Sequence, residues 1–259
     1  MVELLDTGAD PMNLIWVMPA EGNHTIKTTL LRPVEWFFLW QGAFLISKRI
    51  TIIANGDPPA AADVARWHRT GDRLIAADGG ARHALALGLT PHVVIGDMDS
   101  LDADTQAQLA RQGCCLITHP PEKDETDLEL ALLHAAGEGV TEIVLLGALG
   151  GRLDQLLANI LLLTLPDLAG VRVRLVHGGQ EAFVLRGGEQ TVIEGQIGDT
   201  VSLIPLLGDA RGLHTQGLKW PLDGDTLLAG PARGVSNTIV SLPVCIRVEE
   251  GMLLVTHHE

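Results

Sequence analysis

Basic residues are scarce in this chain. Lysine and arginine number 18 against 32 aspartates and glutamates, and the formal net charge is -14. Such a surface repels a phosphate backbone, so nucleic acid is excluded as an expected partner. Cysteine is scarce too, with three residues, Cys114, Cys115 and Cys245. The count is odd and no C-x-x-C pair occurs, which indicates buried thiols in a reducing cytoplasm rather than a disulfide framework. Tyrosine is absent, and the aromatics are five tryptophans and four phenylalanines. Six of these nine lie in the first 44 residues: Trp16, Trp36, Phe37, Phe38, Trp40 and Phe44. Their segment from Val34 to Ile46 is interrupted by Glu35 and Gln41. It falls short of the roughly 20 apolar residues that a bilayer span needs, and no stable membrane association is expected. Few positive charges, a late apolar run and no small-residue cleavage site also argue against a signal peptide. Residues 1–47 therefore read as an atypical N-terminal extension, foreign to the fold that begins after it.

Apolar residues make up 46% of the 259 positions, enough for one large or two medium packed domains. From Lys48 onward, short apolar runs alternate with helical stretches. Strands are expected at Arg49–Ala54, Leu74–Ala77, Val93–Ile95, Cys114–Thr118, Ile143–Leu146 and Val171–Val176. Helices are expected at Ala60–Arg69, Ala81–Leu87, Ala103–Arg111, Thr126–Ala136 and Arg152–Leu163. Such alternation predicts an α/β fold with a mostly parallel, Rossmann-like sheet flanked by helices. After His177 the texture changes to short β-prone stretches separated by Gly and Asp turns. Residues 48–177 thus read as an α/β domain, and residues 178–259 as a smaller all-β sandwich.

No Walker A loop is present, yet acidic motifs stand at successive strand ends. Asp78-Gly79-Gly80 follows the second strand and Gly96-Asp97-Met98-Asp99-Ser100 the third. Lys123-Asp124-Glu125-Thr126-Asp127 precedes a helix, and Gly150-Gly151-Arg152-Leu153-Asp154 follows the fifth strand. Ligands of open parallel sheets bind beyond the carboxyl ends of the strands, so these motifs converge on one rim. Asp97 and Asp99 are spaced i, i+2, which in an extended segment places both on one side of a shared cation. Mg²⁺ takes one or two carboxylates plus waters and phosphate oxygens, and Asp127 at a helix start completes a set. Lys123 and Arg152 are the nearby cations for phosphate charge. Gly150 and Gly151 open the following helix, whose free N–H groups attract anions. His257 and His258 near the end of the chain are expected to be solvated.

The strings GDMDSL, KDETDLELAL and LGALGGRLDQ, with DGGARHAL, closely resemble thiamine pyrophosphokinases. The likeness runs from about Ile50 onward and includes Gly217-Leu218-Lys219-Trp220-Pro221-Leu222 and Gly234-Val235-Ser236-Asn237. It implies an α/β catalytic domain followed by a β-sandwich, in a homodimer with active sites at the subunit junction. The implied reaction passes the pyrophosphoryl group of ATP to the thiamine hydroxyl, with Mg²⁺ as cofactor and ATP and thiamine as partners. Asp97, Asp99 and Asp127 are implied as metal ligands and, with Arg152 and Asp154, as the catalytic set. Asp78, Gly79, Lys123, Asp124, Thr126, Gly150, Gly151 and Arg152 are implied around ATP. Trp220, Ser236 and Asn237 are implied around thiamine. Two features depart from the family pattern: Gln155 stands where a histidine is usual, and Thr238 where an acidic residue is common. Two alternatives are a pyrophosphokinase for another alcohol, such as a hydroxymethylpterin, and a non-catalytic nucleotide or thiamine sensor.

Overall fold

In this computed structural model the described residues are 49–259, and the extension read at residues 1–47 lies outside them. Six strands alternate with five helices in the first part: β1 Arg49–Ile53, α1 Ala61–Trp67, β2 Arg73–Ala77, α2 Gly80–Ala86, β3 Val93–Gly96, α3 Ala103–Arg111, β4 Cys115–Thr118, α4 Asp127–Gly137, β5 Glu142–Leu146, α5 Leu153–Leu162 and β6 Arg172–His177. The local reasons are visible in the sequence. Asp102 caps α3 by accepting from the Thr105 amide at 2.8 Å, and Thr126 caps α4 by accepting from the Glu129 amide at 3.2 Å. Such caps satisfy amides that have no partner within the helix. Leu128, Ala131, Leu132 and Ala135 of α4 are buried at helical spacing, against a sheet whose strands are buried along most of their length. Truncating the fully buried Leu132 to alanine should remove about 2–5 kcal/mol.

The second part is β-rich: β7 Gln180–Arg186, β8 Gln190–Ile193, β9 Thr200–Gln216, β10 Asp223–Leu227, β11 Asn237–Thr238, β12 Val244–Arg247 and β13 Glu250–His258. Strand order is β4-β3-β2-β1-β5-β6-β7-β13-β9-β12-β8, with β10 and β11 also paired to β9. The sheet as a whole is mixed, with the parallel pairing expected of the α/β part confined to its first six strands. β1 to β6 pair in parallel, then β7 returns antiparallel on β6 and every later pairing is antiparallel. A long β9 makes this continuity possible. Its residues 200–206 pair with β13, while residues 210–216 pair with β10 and β12. The described residues belong to one compact unit. Its apolar interior is nonetheless divided, with Phe183, Val201, Leu213, Ile246 and Val255 in a cluster separate from that of Ile50, Ile75 and Leu132.

A ladder of opposite charges crosses the seam. Arg49 pairs with Asp72 at 2.8 Å and faces Glu142 at 3.7 Å; Glu142 accepts from Arg174 at 3.0 Å, and Arg174 also pairs with Glu181. Glu181 in turn meets His257. Buried charges persist only when paired in this way. His257 is 3% exposed, so the expectation that it is solvated is overturned. Of the cysteines, Cys114 is buried, Cys115 exposed and Cys245 intermediate, which corrects the expectation of three buried thiols. No helix among the described residues is long and apolar enough to cross a membrane.

Candidate active site

Three carboxylates meet at the carboxyl rim of the parallel strands. Asp78 directly follows β2, Asp97 directly follows β3, and Asp127 opens α4; one oxygen from each lies within 4.8 Å of the others. Gly96 makes the approach possible. A Cβ there would sit 2.8 Å from Asp78 Cβ and 3.2 Å from the Asp127 carboxyl carbon. Asp78 is only 5% exposed, and its Oδ1 has no hydrogen-bond partner. Its backbone is fixed, since its amide donates to Ile95 O at 2.8 Å. A buried carboxylate oxygen without a donor is unfavourable unless a cation completes it. Three oxygen donors around such an atom fit a hard divalent ion such as Mg²⁺.

Asp99 stands outside that trio. β3 ends at Gly96, and Met98 has a left-handed φ of 66° with its side chain buried, so the extended run assumed between Asp97 and Asp99 is absent. Asp99 is exposed and supports Asp97 from the backbone, donating its amide to Asp97 Oδ1 at 3.0 Å. Lys123 reaches the site instead, with Nζ 2.9 Å from Asp127 Oδ1. The Asp127 carboxylate beside it raises the Lys123 ammonium above the usual lysine range, so it stays charged. Asp124 and Thr126 are exposed on the same loop.

The glycine motif forms a second part of the rim. Gly150, with φ of 89°, has no room for a side chain because a Cβ would lie 1.9 Å from Asp57 Cγ. Gly79 likewise meets the Asn55 side chain, at 2.4 Å from a Cβ. The Asn55–Asp57 turn therefore belongs to the site, a role that sequence reasoning misses; its position at the end of β1 is the available signal. Gly151 is open, and Arg152 and Asp154 are 72% and 64% exposed and paired to each other at 2.5 Å. That pairing holds Arg152 above and Asp154 below their ordinary titration ranges. Gln155 is exposed beside them and donates its amide to Asp154 Oδ1 at 2.9 Å.

Trp220 lies in the β-rich part and is 56% exposed, so it does not fill a core. Asn237 is buried and grips the Trp220 backbone at both ends, accepting from its amide at 3.1 Å and donating to its carbonyl at 2.7 Å. Ser236 has a left-handed φ of 61° and donates its amide to Ser202 Oγ at 3.0 Å. Lys219 Nζ lies 4.8 Å from the Trp220 ring centroid, so the ring face already receives a cation. Among the described residues, no hydrogen bond or ion pair joins this group to the carboxylate trio.

Both groups fall within ranges that match known family descriptions. Residues 65–175 match the family description "Thiamin pyrophosphokinase, catalytic domain" and residues 190–253 match "Thiamin pyrophosphokinase, vitamin B1 binding domain". The chain belongs to the thiamine pyrophosphokinase family. The first match contains the trio and the glycine motif, and the second contains Trp220, Ser236 and Asn237. A thiamine pyrophosphokinase from Bacillus subtilis is 27% identical over 207 residues, 80% of this chain and 97% of that protein. The crystal structure of the Bacillus subtilis enzyme superposes with a TM-score of 0.73, covering 82% of this chain and 99% of that one. A yeast member, 19% identical with a TM-score of 0.64, shares the fold. Within this family frame, Asp78 is the residue whose place in the trio the sequence does not reveal. Sequence reasoning makes it a phosphate contact, because Gly96, its neighbour across the strand gap, brings it to Asp97 and Asp127 only in three dimensions.

Proposed function

We propose that the chain transfers the pyrophosphoryl group of ATP to the hydroxyl of thiamine, giving thiamine diphosphate and AMP. The meeting of Asp78, Asp97 and Asp127 around an unpartnered buried oxygen carries this reading. These three, with Asp99 as an outer carboxylate, would hold Mg²⁺. That ion would supply positive charge against the negative charge that develops during transfer. The remaining work falls to side chains of the chain. Lys123 stays protonated and offers positive charge beside the carboxylates. Arg152, exposed and orientated by Asp154, offers a planar fork to phosphate oxygens. Asp124, Thr126, Gly79, Gly150 and Gly151 shape the backbone around the nucleotide. Trp220 offers its face to the cationic thiazolium or its attached ring, where the Lys219 ammonium now lies.

Residues 48–177 would thus bind ATP and metal, and residues 178–259 the acceptor. A homodimer fits, because α5 exposes Leu153, Leu157 and Leu161 at 71%, 53% and 47%, a single apolar stripe at i, i+4, i+8. A reducing cytoplasm suits the three free cysteines. The test is incubation with ATP, Mg²⁺ and thiamine, using the full chain and a version starting near Ser47. AMP and thiamine diphosphate are expected. Turnover with a hydroxymethylpterin and none with thiamine would replace this acceptor assignment.

A further inference from the structure

His257 is a buried titratable side chain that the transfer reaction does not use. It lies in β13, 3% exposed, between two carboxylates on different elements. Its Nε2 is 2.9 Å from Asp199 Oδ2, and its Nδ1 is 3.5 Å from Glu181 Oε1. Gly195 leaves space for the ring, since a Cβ there would lie 2.8 Å from Nε2. Asp199 is also a junction of the backbone. Its carboxylate accepts from the Gln196 amide at 2.7 Å, and its carbonyl accepts from the Ile239 amide at 2.9 Å. Ile239 O accepts from Gly198 N at 2.9 Å, and Thr238 O accepts from Lys219 N at 2.8 Å. Asn237, beside Thr238, then holds both backbone groups of Trp220.

We infer that His257 is a positioning residue for the acceptor, acting through Asp199 on the segment of residues 236–239 that fixes Trp220. This rests on the reading of Trp220 as the acceptor platform. Charge around the imidazole supports it. Glu181 on β7 and Asp199 before β9 face the ring, with Arg174 on β6 behind Glu181. His258 follows on its own strand and Glu259 just beyond it, and Arg66 of α1 pairs with Glu259 and lies near Glu181 and Asp63. Glu181 first, then Asp199, hold the imidazole protonated above its ordinary range despite burial. A raised folded value means the latch is at full strength below about pH 6.5 and is lost as pH rises through the folded value. The acceptor segment therefore loosens on the alkaline side.

The experiment compares His257→Gln and Asp199→Asn with the parent chain. Hydrogen exchange on the free protein should quicken roughly tenfold at residues 217–220 and 236–239, while β1 to β6 keep their protection. In turnover, KM for thiamine should rise roughly tenfold while kcat and KM for ATP stay within about twofold, the pattern of lost uniform binding. The parent's KM for thiamine should climb with pH, and that climb should disappear in His257→Gln. Uniform loss of protection, an equal fall in kcat, or unchanged exchange in both variants would overturn the inference. If the parent turns over a different alcohol, the acceptor assignment fails, but the exchange arm still decides whether His257 positions Trp220.

Discussion

Replacing Gly96 by alanine tests the site at its narrowest point. The added Cβ would begin 2.8 Å from Asp78 Cβ and 3.2 Å from the Asp127 carboxyl, whereas ordinary contact starts at 3.4 Å. Asp78 would have to retreat by about 0.6 Å, and Asp127 by about 0.2 Å, to relieve the clash. Asp78 has little freedom to do so, being buried with its amide bound to Ile95 O at 2.8 Å. Sites of this kind need their groups within about 0.5 Å, and a 1 Å misplacement loses on the order of 100-fold in rate. Gly96→Ala should therefore lower kcat by roughly 10- to 100-fold and weaken Mg²⁺ binding. Overpacking should also remove about 1–3 kcal/mol of stability, seen as a melting point several degrees lower. The assays are AMP release at saturating ATP, Mg²⁺ titration, and a thermal melt. A variant that keeps kcat within twofold and binds Mg²⁺ as before would refute the crowded-carboxylate account.

Asp78→Asn should leave metal-free stability equal or higher, because it removes charge from an unpartnered buried oxygen, while abolishing the rise in melting temperature on adding Mg²⁺. A metal-free melting point several degrees lower would contradict that view of Asp78. If the proposed homodimer packs through the exposed α5 stripe, Leu157→Glu in its middle should shift sedimentation toward monomer; an unchanged dimer would refute that interface. The Cys114 thiol is pushed up to about 11, first by burial and then by the Cys115 thiol beside it. At pH 8 a thiol reagent should therefore label exposed Cys115 quickly and Cys114 only on unfolding, and equal rates at the two would refute the assignment.

Much of the α/β half is legible in the sequence because its signals are local. Asp102 and Thr126 are caps whose partners lie three residues away, and the helix expected at Ala103–Arg111 is the helix observed. The β-rich half resists for the opposite reason. β12 at Val244–Arg247 is only four residues long and follows Pro243, so its alternation of Val244 and Ile246 is brief, while β9 continues through Pro205, Gly208 and Gly212, residues that usually end strands. Its extent is set by four different pairing partners rather than by its own composition. The site shows the same division. The acidic motifs are visible, but Asp97 and Asp99 share one side only on extended backbone, and Met98 departs from it to bury its side chain. His257 looks like a terminal residue because sequence position says nothing about Glu181 and Asp199 closing over it.

The place of β13 in the sheet has a consequence for synthesis. Residues 250–258 are made after every other described strand, yet they lie between β7 and β9 and bond to both. All six parallel strands exist once residue 177 has been made, so that half can pair while the rest is still being translated. The β-rich half has no such option. Until β13 arrives, β7 and β9 expose open edges, the kind of surface that invites mispairing between nascent chains. Folding is thus divided in time along the same line that divides the carboxylate trio from Trp220. A stall or truncation within residues 250–258 would leave a chain with its carboxylate rim formed and the strands around Trp220 incompletely paired.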